Sequence, residues 1–242
     1  MQYRWLRRSR ALMLAMATAF AAASAAATQP AQTQQDPEQI ACRQHFDASA
    51  IRVLTQPLRE TLDLSLDTAT LTALEGKAAS QRVLGRTTAS LRNSSSLRTI
   101  EKKLPSGRSC LLPEVTVAIA YEPTVVFVGK EYPAGSCEFG KILEHEQRHV
   151  AEHRRHLAAL ALLLQQDLRE FFTTTALVFD LPSYSRRIFQ TGIQDVIRSR
   201  FNAMSADARA RQLEIDSTEE IARLSDLRRL CGQQETTTGP KS

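Results

Sequence analysis

Residues 137–172 read CEFGKILEHEQRHVAEHRRHLAALALLLQQDLREFF and determine how the second half of the chain is organised. No glycine or proline occurs between Lys141 and Leu181. Apolar side chains recur at the three- and four-residue spacing of a helix with one buried face. They are Phe139, Ile142, Leu143, Val150, Leu157, Leu160, Leu164, Leu168 and Phe171. The pattern predicts a single long helix, begun by Ser136 as its N-cap.

This helix contains an H-E-x-x-H sequence, His145-Glu146-Gln147-Arg148-His149. Residues four apart lie one turn above each other, so the imidazoles of His145 and His149 can bind one metal ion together. Glu146 lies in the same turn, where its carboxylate can act as a general base on a water whose pKa zinc lowers toward ~7. The motif therefore predicts zinc-assisted hydrolysis with Glu146 as the catalytic residue. The alternative is a polar helix whose histidines are solvated.

The first 27 residues have the pattern of a secretory signal peptide. Residues 1–10 carry four arginines, residues 11–23 are apolar but too short a run to span a membrane comfortably, and Ala25-Ala26-Ala27 offers a cleavage site. We therefore expect a periplasmic or secreted protein, cleaved near Ala27, with no stable membrane anchor afterwards.

The positive charge of the chain belongs mostly to this N-terminal segment. The chain has 31 basic and 26 acidic residues, and residues 1–27 contain four arginines and no acid, which leaves 27 basic against 26 acidic residues. No stretch combines a basic patch with interleaved aromatic residues. Nucleic acid is therefore not predicted as a partner.

The remaining chain is predicted to form one domain. Residues 28–41 are rich in glutamine and proline and should be a flexible leader, and residues 232–242 should be a disordered tail. Residues 42–231 are enough for one sizeable core.

Alternating apolar residues predict strands in the first half of this domain. The candidate strands are 51–54, 62–66, 83–91, 97–104, 115–121 and 124–129. We expect a turn at 93–96, a hairpin around Glu122-Pro123, and a short helix capped by Asp67 that ends near Lys77. Two further amphipathic helices are predicted over 185–215 and 217–230, the second opened by a Ser217-x-x-Glu220 capping box. The predicted fold class is α+β, with a mostly antiparallel sheet in the N-terminal half and helices in the C-terminal half.

Four cysteines in an exported chain predict two disulfides. Three connectivities are available. We predict a Cys110–Cys137 bond, because these residues bracket the predicted hairpin, and a Cys42–Cys231 bond, which would join the two ends of the domain.

The run from Cys110 to His153 resembles an uncharacterised family of exported proteobacterial proteins that look like small zincin-type metallopeptidases. The resemblance is carried by a cysteine before the hairpin, residues 124–128 (TVVFV), residues 135–139 (GSCEF), and the H-E-x-x-H sequence followed by Val150. It implies a zincin-like fold, a zinc site at His145 and His149, and Glu146 in the catalytic position.

The third metal ligand is not identified by the motif. His153 lies about 9 Å along a straight helix from the midpoint of the two histidines, and Glu170 lies roughly 30 Å away. His153 stays a candidate further ligand, and it could form a second site with His149; alternatively, His153 and His156 are solvated polar residues. The other candidates are His45, Asp180 and residues of the C-terminal helices, unless the long helix bends.

Three functions are compatible with these features. The first is an exported zinc peptidase, in which residues 124–129 would offer a strand edge to an extended peptide or protein substrate. The second is a non-catalytic envelope or binding protein with a structural metal site or none. The third is a metal-free interaction module built on the amphipathic C-terminal helices.

Overall fold

The computed structural model describes residues 36–217, 220, 222, 224 and 226–235. The predicted signal peptide and residues 28–35 of the predicted leader lie outside this part of the chain. The strands are β1 Ile51–Thr55, β2 Glu60–Asp63, β3 Gly85–Lys103, β4 Ser109–Val128 and β5 Val178–Phe179. The helices are α1 Pro37–Gln44, α2 Thr68–Leu74, α3 Cys137–Thr174, α4 Pro182–Ile215 and α5 Leu227–Glu235, with a short 3₁₀ helix at Ala48–Ala50. The mixed α/β class, with a mostly antiparallel five-stranded sheet and helices in the C-terminal half, agrees with the prediction.

Strand β4 is the centre of the sheet. β3 pairs with it antiparallel along its whole length, from Gly85 opposite Val128 to Lys103 opposite Ser109. Three short strands pair with β4 along its other edge: β5 antiparallel, and β1 and β2 parallel. Both edges of β4 are thus occupied, whereas β3 pairs with no second strand among the described residues.

The predicted turns at 93–96 and at Glu122-Pro123 are wrong. Residues 93–96 lie inside the continuous strand β3, and β4 continues through Pro123. The pairing register shifts between Ala89 and Leu91, opposite this part of β4, which fits a proline that has no N–H to donate to the ladder. The turn of the actual hairpin lies between β3 and β4, where Gly107 adopts φ +89°.

The short elements β1, β2 and α2 lie near their predicted positions, but their lengths differ from the prediction. Asp67 caps α2, accepting a hydrogen bond from the Thr70 N–H at 2.8 Å. Strand β2 ends at Asp63 rather than at residue 66, because the Asp63 carboxylate accepts hydrogen bonds from the N–H and hydroxyl of Ser65. Such a side-chain turn competes with the strand ladder and ends it.

Helix α3 confirms the predicted single long helix. Its N-cap is Ser136, whose hydroxyl accepts a hydrogen bond from the Phe139 N–H at 3.1 Å. The apolar stripe of α3 packs against the sheet and α4, burying residues that include Leu160, Leu164, Leu168 and Phe172. None of the helices in the described part of the chain is long and apolar enough to cross a membrane.

Helix α4 returns antiparallel beside α3. It begins at Pro182, three residues before the predicted start, because proline is tolerated in the first turn of a helix. Arg200, near the middle of α4, pairs with Asp167 in the last third of α3 at 2.6 Å. This arrangement brings the residue after α4, Asp216, close to the first turns of α3.

Both predicted domain boundaries need correction. Helix α1 starts at Pro37, within the predicted leader, because Asp36 caps it and Arg108 pairs with Asp36 at 2.6 Å. At the other end, α5 continues to Glu235, so residues 232–235 of the predicted tail are helical. The backbone N–H of Glu220 donates to Ser217 Oγ at 3.4 Å, a contact expected of the predicted capping box.

All four cysteines form disulfides, but the predicted pairing is wrong. The bonds are Cys42–Cys110 and Cys137–Cys231. Because β4 is one continuous strand of 20 residues, Cys110 at its start is separated from the region of Cys137 by roughly 60 Å along the strand. Cys110 therefore pairs with α1, and Cys137 at the start of α3 pairs with α5.

Candidate metal site

Helix α3 and the end of α4 bring three ligand atoms together. The Nε2 atoms of His145 and His149 lie 3.3 Å apart. Asp216 Oδ1 lies 3.2 Å from the first and 3.1 Å from the second. Within the described residues, this is the one group of three such side chains whose ligand atoms converge. Both histidines are buried.

These distances suit a metal ion. Around a tetrahedral ion with bonds of 2.0–2.1 Å, neighbouring ligand atoms lie about 3.3 Å apart. The three atoms could therefore form one face of a coordination tetrahedron around an ion. The group can hold a metal ion. Two nitrogens and one carboxylate oxygen suit zinc, and they suit other divalent transition metals as well.

The sequence did not identify Asp216 as the third metal ligand, although residues of the C-terminal helices were among the candidates. The named candidates lie elsewhere. His45 ends α1, whose Arg43 binds the C-terminal end of α3, and Asp180 lies in the connection between α3 and α4. Two long helices joined by a short connection pack antiparallel, so residues equally far from that connection face each other. Counting equal distances outward from the connection places residues 207–211 opposite the two histidines, so this count does not identify Asp216.

Each histidine of the pair also has its other ring nitrogen in contact with a polar side chain. His149 Nδ1 is hydrogen bonded to the Gln212 side-chain oxygen. His145 Nδ1 lies 2.9 Å from an Arg148 guanidinium nitrogen and 3.6 Å from Glu220 Oε1. Arg148 and Glu220 form an ion pair with each other. His149 is therefore oriented by an acceptor behind its ring, as ligating histidines usually are, whereas the nearest partner of His145 Nδ1 is a donor.

Glu146 is buried against the first residues of β3. The Thr87 hydroxyl lies 2.8 Å from Glu146 Oε2 and 3.2 Å from the Glu146 carbonyl oxygen. A Cβ atom at Gly85 would lie only 2.7 Å from Glu146 Oε1, so glycine permits this close approach. Burial raises the pKa of Glu146. A carboxyl group with a raised pKa is a better proton acceptor near neutral pH.

The pKa values of Asp216 and His149 are shifted in opposite directions. Burial opposes ionisation of Asp216, but hydrogen bonds from His145 and His149 hold its pKa well below the ordinary value. Burial also works against protonation of His149, but its hydrogen bonds with Asp216 and Gln212 raise its pKa overall. Asp216 is thus ready to bind a cation, while protons compete for His149.

His153 is not part of the group; it is half-buried and lines the cavity, whereas His156 is buried rather than solvated. The His153 ring packs on Tyr121 with 4.4 Å between ring centroids. His156 Nδ1 lies 2.9 Å from the Tyr121 hydroxyl oxygen. Burial lowers the pKa of His153 to about 4. These side chains form a neutral polar cluster behind the metal site.

The site opens into a cavity of about 1320 Å³. Its wall includes the three converging residues, Glu146, the first residues of β3 and the side chains of Leu224 and Leu227. The two leucines pack on Val128, Phe139 and Ile142 in a small core beside the site. A cavity of this size accommodates a ligand as large as a short peptide.

Comparison with known proteins gave no match to a family model, to a curated protein or to a solved structure. The resemblance to exported H-E-x-x-H proteins therefore stays a prediction.

Proposed function

We propose that the protein is an exported, zinc-dependent peptidase with a zincin-like fold. In this proposal His145, His149 and Asp216 bind the zinc ion, and Glu146 is the general base. The supporting observation is the triangle of ligand atoms 3.1–3.3 Å apart, beside a buried carboxylate and an accessible cavity. Two histidines one turn apart followed by a third ligand from another element is one of the arrangements that support metal-assisted hydrolysis.

The chain's own residues have defined tasks in this mechanism. When bound, zinc would lower the pKa of a coordinated water and polarise the substrate carbonyl. Glu146 takes a proton from the attacking water and delivers it to the leaving amine nitrogen. Thr87 binds Glu146 Oε2 and so fixes the plane of the carboxylate. The walls of the cavity orient the substrate beside these groups.

Strand β3, rather than residues 124–129, is the proposed binding edge for an extended peptide. The earlier prediction for 124–129 is wrong because β2 and β3 occupy both edges of that part of β4. The outer edge of β3 has no strand partner among the described residues, and residues 85–89 line the cavity next to Glu146. Strand addition there would bring a peptide carbonyl to the metal position.

Two disulfides are typical of a protein in an oxidising compartment. Together with the signal-peptide pattern of residues 1–27, they support a periplasmic or secreted location for the proposed peptidase.

The test starts with the purified mature protein. Elemental analysis should find zinc in the wild type and little in His145→Ala. The Glu146→Gln variant should retain zinc but no longer cleave a random peptide mixture. Mass spectrometry of the mixture measures this cleavage. A wild type without zinc, or a Glu146→Gln variant that cleaves at the wild-type rate, would overturn the proposal.

A non-catalytic metal protein is the main alternative. Structural zinc sites are closed by four protein ligands, whereas catalytic sites keep one position for water. The convergent group contains three ligands. X-ray absorption spectroscopy of the zinc-loaded protein separates the two functions, because a fourth protein ligand would favour the structural one.

A further inference from the structure

Gln212 links the metal site to the polar cluster behind it. It lies four residues before Asp216 and faces the same side of α3. Its side-chain oxygen is hydrogen bonded to His149 Nδ1. Its side-chain nitrogen lies 3.4 Å from the His149 carbonyl oxygen and 3.4 Å from His153 Nδ1. The Gln212 amide thus contacts both the ring and the backbone carbonyl of His149.

The orientation of this amide follows from its neighbours. A backbone carbonyl can only accept a hydrogen bond, so the NH₂ group of Gln212 must face the His149 carbonyl oxygen. Its oxygen then faces His149 Nδ1. Since that oxygen can only accept, Nδ1 must carry the hydrogen. In the neutral ring, which is the form that binds metal, Nε2 is then the nitrogen with a free lone pair.

His145 has no equivalent partner. The closest polar atom to its Nδ1 is an Arg148 guanidinium nitrogen at 2.9 Å, and guanidinium is only a donor. The Glu220 oxygen, which could accept from Nδ1, is farther away at 3.6 Å. The two histidines of the motif therefore differ in the group that contacts Nδ1: an acceptor at His149 and a donor at His145.

We infer that Gln212 is a positioning residue for the metal site, which holds His149 in the Nδ1–H tautomer and directs Nε2 toward the ion. The inference rests on the proposed function, because it assumes that His149 is a metal ligand. His153 acts through Gln212: its ring packs on Tyr121 at a tilt of 49°, has both nitrogens 3.4–3.5 Å from the amide nitrogen, and helps to keep the amide from turning over. This gives His153 a role in the site without direct contact to the metal.

Zinc affinity, measured by competition with a chelator, tests this inference. Gln212→Met keeps the side-chain length but removes the acceptor, and we expect it to weaken zinc binding by ~10- to 100-fold. Gln212→Glu restores an acceptor for Nδ1–H and should keep affinity within a few-fold of wild type. Gln194→Leu is the matched control, because Gln194 lies on the same helix and bonds to Ser95 instead.

Two further measurements separate positioning from a structural effect. The melting temperature of the metal-free variants shows whether Gln212→Met folds. Nitrogen chemical shifts of the zinc-loaded wild type should show His149 bound through Nε2 with a hydrogen on Nδ1.

The outcomes are distinct. A wild type that binds no zinc overturns the proposed function. A wild type that binds zinc, with unchanged affinity in Gln212→Met or equal losses in Gln212→Met and Gln212→Glu, overturns this inference alone. Binding of His149 through Nδ1 overturns it as well.

Discussion

The Thr87 hydroxyl lies 2.8 Å from Glu146 Oε2, although the two residues come from different elements, β3 and α3. The hydroxyl contacts one carboxylate oxygen, and the other, Oε1, lies close to Gly85. The start of the outer strand is thereby in direct contact with the proposed general base.

Replacing Thr87 should affect turnover more than substrate binding. Thr87→Val keeps the shape of the side chain and removes the hydroxyl, so Glu146 loses its orienting contact. A hydrogen bond to a charged group contributes ~1.5–3 kcal/mol, and we expect kcat to fall ~10- to 100-fold with KM nearly unchanged. Thr87→Ser should recover most of the rate. Equal losses in the two variants would contradict a role for the hydroxyl.

Gly85 should tolerate no side chain. In Gly85→Ala the new Cβ would lie 2.7 Å from both Glu146 Oε1 and Ile142 Cγ2, so β3 or α3 has to shift. Overpacking of this kind costs ~1–3 kcal/mol in the free energy of unfolding, measurable by denaturant titration. Gly140→Ala is the control, because a Cβ there meets no atom within 4 Å and α3 gains helix propensity. The prediction fails if both variants are stabilised.

Asp216 should be required for metal affinity. Loss of a ligand has a larger effect than loss of a supporting contact, which alone costs 10–100-fold, so Asp216→Ala should weaken zinc binding by more than ~100-fold. Zinc should raise the melting temperature of the wild type but not of this variant, since a ligand stabilises only the state it binds. Asp195→Ala, at an exposed position on α4, should behave as wild type.

The two disulfides should differ in their effect on the metal. Removing either bond, as a pair of cysteine-to-serine changes, should lower stability by ~2–5 kcal/mol. Only removal of Cys137–Cys231 should also lower zinc affinity, because α5 follows Asp216 and its Leu227 packs beside the cavity. Removal of Cys42–Cys110 is the matched control. A similar drop in zinc affinity after removal of either disulfide would show that the loss reflects general destabilisation and is not specific to Cys137–Cys231.

The contribution of Arg108 to stability should depend on pH. Hydrogen bonding by Arg108 lowers the pKa of Asp36, and hydrogen bonding by Ser106 and Arg108 lowers the pKa of Glu38. Groups whose pKa is lowered by folding stabilise the protein above their ordinary pKa values, and this stability is lost as the pH falls. Arg108→Ala should therefore destabilise the protein at neutral pH, and the difference from wild type should shrink in acid.

Urea unfolding curves of Arg108→Ala at several pH values measure this effect. Arg98→Ala is the control, because Arg98 is highly exposed and lies 3.7 Å from Glu114. A difference between Arg108→Ala and wild type that stays constant down to acid pH would show that the ion pairs with α1 do not titrate as expected.

The sequence predicted the long helix and two of the three convergent ligands because both depend on local spacing. The apolar period of α3 and the four-residue separation of His145 and His149 are properties of one turn of helix. The position of Asp216 beside the histidines depends on how two helices pack, so no local sequence pattern predicts it. The disulfide pairing was predicted wrongly for the same reason, because it follows from the length of β4 and not from a local pattern.

The strand prediction failed for a different reason. Serines at 94–96 and Pro123 are turn-forming residues in most sequences. Here the serines are exposed on an outer strand, where polar side chains are tolerated, and the missing N–H of Pro123 is accommodated by a shift in register. Long-range pairing thus overrides local preference.

Asp216 follows His149 by 67 residues, and this separation sets the order in which the site can arise. During synthesis, α3 and its two imidazoles emerge well before the carboxylate and before Cys231. A nascent or truncated chain can therefore offer an ion only a pair of nitrogens. In the proposed function, hydrolysis therefore becomes possible only after α4 has been synthesised and has packed beside α3.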